Sequence, residues 1–220
     1  MIKTEDLFDL EHTLAKDFLK KFEHPYDALP SIKSFVTELI QTLDKSEYYS
    51  PAPNVWISNE ATVAKSAYIE GPTVICAGTE IRHCAYIRGS VLVGKNCVIG
   101  NSTELKNCII FDNAQVPHFN YIGDSILGYR SHLGAGAIIS NLKSDKTNIV
   151  IKGDNVCIET GLRKFGAMVA DFVEVGCNSV LNPGTVIGRN SVVYPTSCVR
   201  GIVPENSIFK GVKGISPKRS

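Results

Sequence analysis

The stretch Val93-Gly94-Lys95-Asn96-Cys97-Val98-Ile99-Gly100 carries the unit that decides the fold: a large apolar residue, often followed by Gly, returning at every sixth position. Toward the N-terminus the series reads Ile87, Ile81, Ile75, Ile69, Val63 and Ile57; toward the C-terminus it reaches Leu105 and Phe111. Pro117, the next place, breaks it. The count resumes two residues early at Leu127, Leu133 and Ile139 and continues through Ile151. It then runs again as Val169, Val175, Leu181, Ile187, Val193 and Val199. Four places after many of these stands a small residue, such as Ala61, Thr73, Thr79, Ala85, Thr103, Ser179 or Ser191. A period of six fits neither the 3.6 of a helix nor the 2 of an ordinary strand. It predicts a mainly β chain: a parallel β-helix of hexapeptide repeats, three flat strands to a coil. With adjacent coils ~4.8 Å apart, about eight of them make a rod of roughly 40 Å.

The domain organisation follows from where the count begins and ends. Residues 51–210 form the β-helical domain, residues 1–50 a helical cap and residues 211–220 a C-terminal tail. In the N-terminal module Leu7, Leu10, Leu14, Phe18 and Phe22 suggest one apolar stripe. Ile32, Phe35, Val36, Leu39, Ile40 and Leu43 suggest a second. Such a pair must bury its stripes on something, and the open first coil around Ile57 and Val63 is the expected place. An oligomerisation or partner-binding hairpin is the alternative. Tyr48 to Asn54 reads as a linker.

Composition excludes several classes. A net charge of +1 leaves no basic surplus for nucleic acid or an anionic membrane surface. No apolar run approaches the ~20 residues of a membrane span, and the N-terminus lacks a secretory pattern. Seven cysteines without a C-x-x-C spacing suggest a reduced, cytoplasmic setting. Cys97 and Cys157 fall on inward places and read as core filler.

Chemistry is expected where the count fails. Arg88 and Lys106 are eighteen residues apart, so they stack on consecutive coils. Two cations that close call for an anion: a ligand phosphate, or a carboxylate such as Glu104. His118 follows the break, with Tyr121 and Asp124 nearby, and reads either as a structural imidazole or as a general base. Allowing for the slip, Asn141 should project near the Arg88–Lys106 stack, at the start of a polar loop running to Lys146.

These residues support a resemblance. Gly100-Asn101-Ser102-Thr103-Glu104-Leu105-Lys106, then Val116-Pro117-His118-Phe119-Asn120-Tyr121-Ile122-Gly123-Asp124, then Leu133-Gly134-Ala135-Gly136-Ala137 and Asn141, resemble the acetyltransferase domain of the bifunctional UDP-N-acetylglucosamine pyrophosphorylase/glucosamine-1-phosphate N-acetyltransferases. Gly161 to Ala167 and Asn182-Pro183-Gly184 are similar to the archaeal sugar-1-phosphate nucleotidylyltransferase type in particular. The resemblance covers about residues 55–210. It implies a left-handed β-helix, a homotrimer with active sites between subunits, acetyl-CoA as co-substrate, no metal, and an amino-sugar 1-phosphate as acceptor. Position by position, it implies that Arg88 and Lys106 hold the sugar phosphate and that His118 deprotonates the 2-amino group. Tyr121 and Asn141 would contact the sugar, and the Ala135 amide and Thr160 would meet acetyl-CoA. His132 stands where the family has an Asn at the substrate, and Leu142 stands where it has a Tyr. The family's loop lysine aligns near Thr147, which makes Lys146 the candidate for the cofactor contact. No G-x-G-T-R segment occurs near the N-terminus, and fifty residues cannot hold a Rossmann-like domain, so uridylyl transfer is not expected. Two other readings stand beside the transferase. One is a non-catalytic trimer that binds a sugar nucleotide or scaffolds a partner. The other is a zinc site built from His83, His118 and His132, whose spacing does not match the close His pair of the γ-type carbonic anhydrases.

Overall fold

The computed structural model describes residues 2–153, 156–211 and 214–217. From Val55 to Phe209 short strands stack in parallel, coil on coil, as the expected β-helix. The six-spaced residues point inward: Ile57, Ile75 and Val93 pair in register with one another and are 2% exposed or less. The small residues Thr73, Thr79, Thr103, Ser179 and Ser191 are buried with them. Corners between strands carry residues in the left-handed region, among them Cys84, Asn96, Ser102, Asn107, Phe119 and Asp124, with φ between 47° and 55°.

The phase break lies elsewhere than the sequence suggested. Val93 pairs with Ile110, not Phe111, and Ile110 pairs with Leu127; Ile99 pairs with Val116 and Leu105 with Ile122. The two-residue slip is therefore two single deletions, one between Leu105 and Ile110 and one between Ile122 and Leu127. Both fall at the same corner on consecutive coils. There the chain runs as two continuous strands, Glu104–Ile110 and Tyr121–Leu127. Pro117 does not interrupt the ladder: strand Gln115–His118 pairs on either side of it, Val116 with Ile99 and His118 with Asn101. A residue without an N–H is tolerated where only its carbonyl is needed, and Gly100 opposite provides the room. A Cβ there would lie 1.5 Å from the Pro117 carbonyl oxygen.

Ile151 and Cys157 do not continue the count. Ile139 pairs with Leu181, 42 residues on, where a coil takes 17 between Ile122 and Ile139. The surplus is an insertion bearing an antiparallel hairpin, Val150–Gly153 with Val156–Glu159. Cys157 is exposed on it, whereas Cys97 is buried as expected.

The N-terminal module lies along the flank of the coils and not over the first one. Every third strand carries an outward apolar residue between two inward ones: Val74, Leu92, Ile109 and Ile126, all fully buried. Helix Ile32–Thr42 packs on strands Thr73–Ile75, Val91–Val93 and Glu104–Ile110, burying Ile32, Val36 and Ile40. Segment Pro25–Ser31 packs on Tyr121–Leu127. The first predicted stripe is not one helix but three short pieces, Thr4–Leu7, Leu10–His12 and Lys16–Leu19. Backbone groups there are engaged by the coils: Asp112 N–H donates to His12 O, Asp171 N–H to Leu7 O, and Asp9 N–H to Asp171 Oδ2 at 2.6 Å. The first coil's edge is covered by the segment read as a linker, since Tyr48–Ala52 pairs antiparallel with Val55–Ser58.

Candidate functional site

The shortened corner gathers the polar residues. Leu105 lies opposite Ile87, which places Lys106 beside Arg88 on the next coil, and Lys106 pairs in register with Gly123. One residue is missing on two successive coils, and Asn107 and Asp124 stand together at the left-handed position, where Asn107 Nδ2 also donates to Leu29 O of the N-terminal module at 3.2 Å. Asn107 Nδ2 donates to Asp124 Oδ1 at 2.8 Å. The Asp124 side chain is only 7% exposed, and its other oxygen takes Lys106 Nζ at 3.4 Å and the Asn141 side-chain amide. A buried carboxylate with three donors is a satisfied anchor. It fixes Lys106 and Asn141 side by side.

Tyr121 opens the strand that delivers Asp124, and its hydroxyl bonds to Asn141. Burial pushes the Tyr121 phenol above its ordinary value, and the Asp124 and Glu104 charges add to that. Both effects favour the neutral phenol. Gly123 lets these two side chains close over the strand: a Cβ there would lie 2.5 Å from Tyr121 Oη and 2.8 Å from Asn141 Nδ2. Lys106, Tyr121 and Asn141 thus converge as expected, around an Asp124 that the sequence reading named only as a neighbour of His118. Arg88 stands one coil away and is paired, with Nη1 2.7 Å from Glu104 Oε1, so the carboxylate alternative weighed for this stack is present.

His118 occupies the preceding corner. It is exposed, and its backbone is held by Asn120: His118 N–H donates to Asn120 Oδ1 at 3.1 Å, while Asn120 Nδ2 donates to the Gly134 and Ala137 carbonyls at 2.9 and 3.0 Å. The Gly136 N–H donates to His118 O at 3.0 Å, which stacks the Ala135 coil directly on the His118 corner. Asn120, 3% exposed, is a positioning residue that the sequence reading passed over; its place in a left-handed corner run was the available signal.

The remaining candidates lie apart from this cluster. His132 sits on the outer face of a neighbouring sheet, its Nδ1 2.7 Å from Glu174 Oε2. Lys146 is exposed in the insertion, whose Lys143 pairs with Asp145 at 3.3 Å. Thr160 closes the insertion by donating to Ile149 O at 2.7 Å. Between insertion and coils runs a cleft of about 500 Å³ lined by Ser140, Lys143, Lys152, Asn182 and Arg200. His83 bonds Ser66 Oγ at 2.6 Å through Nδ1, far in sequence from His132 and its Glu174 partner. Among the described residues no three His, Cys, Asp or Glu side chains converge as metal ligands.

Residues 69–172 match the family model of the GMPPB C-terminal domain. The chain is 33% identical over 200 residues to the bifunctional protein GlmU of Methanococcus maripaludis strain S2, covering 89% of this chain and 48% of that protein. It is 36% identical over 157 residues to the bifunctional sugar-1-phosphate nucleotidylyltransferase/acetyltransferase of Sulfurisphaera tokodaii, covering 71% of this chain and 39% of that protein. The chain thus spans about half the length, or less, of the curated relatives it matches. Among solved structures, the polysialic-acid-specific acetyltransferase NeuO aligns with a TM-score of 0.46 at 14% identity, over 70% of this chain and 72% of that one. The resemblance read from the motifs therefore holds: the chain is a relative of the GlmU and sugar-1-phosphate nucleotidylyltransferase/acetyltransferase proteins.

Proposed function

We propose that this relative of bifunctional sugar-phosphate acetyltransferases is an acetyl-CoA-dependent N-acetyltransferase acting on an amino-sugar 1-phosphate such as glucosamine 1-phosphate. The observation that carries the reading is the shortened corner, where Asp124 holds Lys106, Asn141 and Asn107 side by side, with Lys106 one coil from Arg88. A sugar ring laid against Tyr121 and Asn141 meets their polar groups, and its phosphate meets Lys106 and Arg88. Arg88 exchanges a solvent-exposed carboxylate partner for a phosphate that accepts its fork more strongly.

An ammonium is not nucleophilic, so the reaction starts with proton removal. The acceptor loses its first ammonium proton to solvent, and His118 takes the second from the nitrogen as it attacks the thioester carbon. The tetrahedral oxyanion is stabilised by the Ala135 N–H, next to the Gly136 N–H that joins its coil to the same corner. Collapse breaks the carbon–sulfur bond, and the proton on His118 leaves with the CoA thiol. Holding both substrates supplies much of the acceleration. The cleft beside the insertion, with Lys143, Lys152 and Arg200, suits the anionic end of CoA, and Lys146 and Thr160 belong to the same insertion without lining the cleft. His132 contacts the acceptor only if that acceptor, or a second subunit, reaches the Glu174 face. We infer a homotrimer, with sites completed between subunits, in the cytoplasm. Seven free cysteines suit a reducing compartment, and no described helix is long and apolar enough to cross a membrane.

The test is CoA-thiol release from acetyl-CoA with a panel of amino-sugar 1-phosphates and the corresponding free amino sugars. Release that depends on the 1-phosphate supports the assignment. No release with any amino sugar leaves a binding or scaffold protein.

A further inference from the structure

Corners of the β-helix favour residues that accept left-handed backbone, and Asn is the commonest non-Gly residue there. Cys84 is the one cysteine among the described residues at such a corner, with φ 55°. It is exposed, as is His83 before it. Three side chains meet at this corner that the proposed acetyl transfer does not use. Ser66 Oγ lies 2.6 Å from His83 Nδ1, and His83 Nε2 lies 3.2 Å from Cys84 Sγ. The imidazole is thus held at both nitrogens. Ser66 also fixes the thiol's own backbone, since the Cys84 N–H donates to Ser66 Oγ at 3.2 Å. When Nδ1–H donates to Ser66 Oγ, the lone pair of Nε2 faces the thiol.

A nucleophile, a base in contact with it and a third group that orients the base are the parts of an activated thiol. The other exposed cysteines lack them. Cys198 Sγ meets the Asn182 amide at 3.2 Å, and among the described residues no His nitrogen bonds Cys157 or Cys177. We propose that Ser66, His83 and Cys84 form a thiol-modification site whose reactant is a small-molecule disulfide. His83 Nε2 takes the Cys84 proton, and the thiolate attacks one sulfur of the disulfide. The new S–S bond forms as the old one breaks. The second sulfur leaves with the bonding electron pair and takes the proton from His83. The fold then decides what becomes of the adduct, because a resolving thiol needs its Cα within about 7 Å. Cys177 lies four coils on, about 19 Å away; hydrogen bonds from Ser102 to His83, Phe119 to Asn101, Gly136 to His118 and Asn178 to Ala135 count the steps. Cys198 is five coils from Tyr86, and the hairpin bearing Cys157 packs on strand Ile202–Val203, further on still. Cys76, Cys97 and Cys108 are buried, and burial keeps their thiols protonated. The mixed disulfide on Cys84 therefore persists until an external thiol reverses the exchange.

The site stands apart from the acetyl-transfer reading, and its test needs no acceptor. The intact protein is incubated with oxidised glutathione near neutral pH, remaining thiols are capped with iodoacetamide, and mass spectrometry follows the adduct at each cysteine with time. Cys84 should gain glutathione about tenfold or more faster than Cys157, Cys177 or Cys198. His83→Ala should bring the Cys84 rate down to theirs while the melting temperature holds, because the imidazole is exposed. Ser66→Ala leaves the imidazole in place without its orienting partner, and should slow the Cys84 adduct several-fold. An imidazole with a purely structural role would move neither rate. A Cys84 rate no higher than the other three, or one that either substitution leaves unchanged, overturns the site. So does an intramolecular disulfide at Cys84 in place of the glutathione adduct.

Discussion

His118 and Lys106 divide the work at the site, and single substitutions separate their parts. His118 is exposed and touches the fold through its backbone alone, so His118→Ala should leave the melting temperature unchanged while kcat falls about 100-fold or more, the loss expected for a general base. Comparing thermal unfolding with turnover checks both halves. Lys106→Ala should act on binding instead, raising KM by the equivalent of about 1.5–3 kcal/mol for a charge-assisted contact. An acceptor analogue lacking the phosphate should not register the change. Most of this site was legible in the sequence because it consists of residues that depart from the six-fold count. Asp124 and Asn120 were not singled out, because their roles are local hydrogen bonds at left-handed corners that no spacing announces. His132 is the reverse case: position matched it to the substrate, whereas its nearest partner in space is Glu174.

Among the elements, the strands of the β-helix were predictable because burial enforces a period, and the insertion was not because it has none. Ile151 is apolar, buried and six-spaced by coincidence, although it belongs to a hairpin outside the coil. The flank was legible but unread: the runs Thr73-Val74-Ile75, Val91-Leu92-Val93 and Ser125-Ile126-Leu127 are apolar on both faces, which marks a strand covered on its outer side. Thiol chemistry checks these placements. Burial pushes the Cys76 thiol up to about 12 and the Cys97 and Cys108 thiols higher still, whereas Cys84, Cys157, Cys177 and Cys198 are exposed. Iodoacetamide at pH 8 should therefore label four cysteines in the native protein and seven after denaturation, counted by mass spectrometry.

For the whole molecule, the N-terminal module determines how the rod unfolds. Ile40, 3% exposed, packs on the outward apolar column, so Ile40→Ala should cost about 2–4 kcal/mol in denaturant titrations. Asp171 ties the module to the coils: it accepts the Asp9 and Tyr129 amides at 2.6 and 2.8 Å and faces Arg189 at 3.4 Å. Burial nevertheless raises its pKa above the ordinary 3.8, since desolvation outweighs those donors. The folded state thus holds this proton more tightly than the unfolded chain. Its contribution to stability is fully present below pH 3.8 and is lost as pH rises through the folded value. The Asp171→Asn protein lacks that term. Its melting temperature should lie furthest below the wild-type value near pH 4, and the gap should narrow toward pH 7.

An array in which each coil meets only its neighbours frays from its ends. Here residues 5 to 12 are fastened to Asp112, Asp171 and Arg189, so distant coils are lashed by one cord and must come apart together. In chain order the cord precedes every coil residue it is fastened to, Arg189 being the last of them. Synthesis therefore delivers the lashing before the coils it binds, and the last fastening waits until Arg189 has been made.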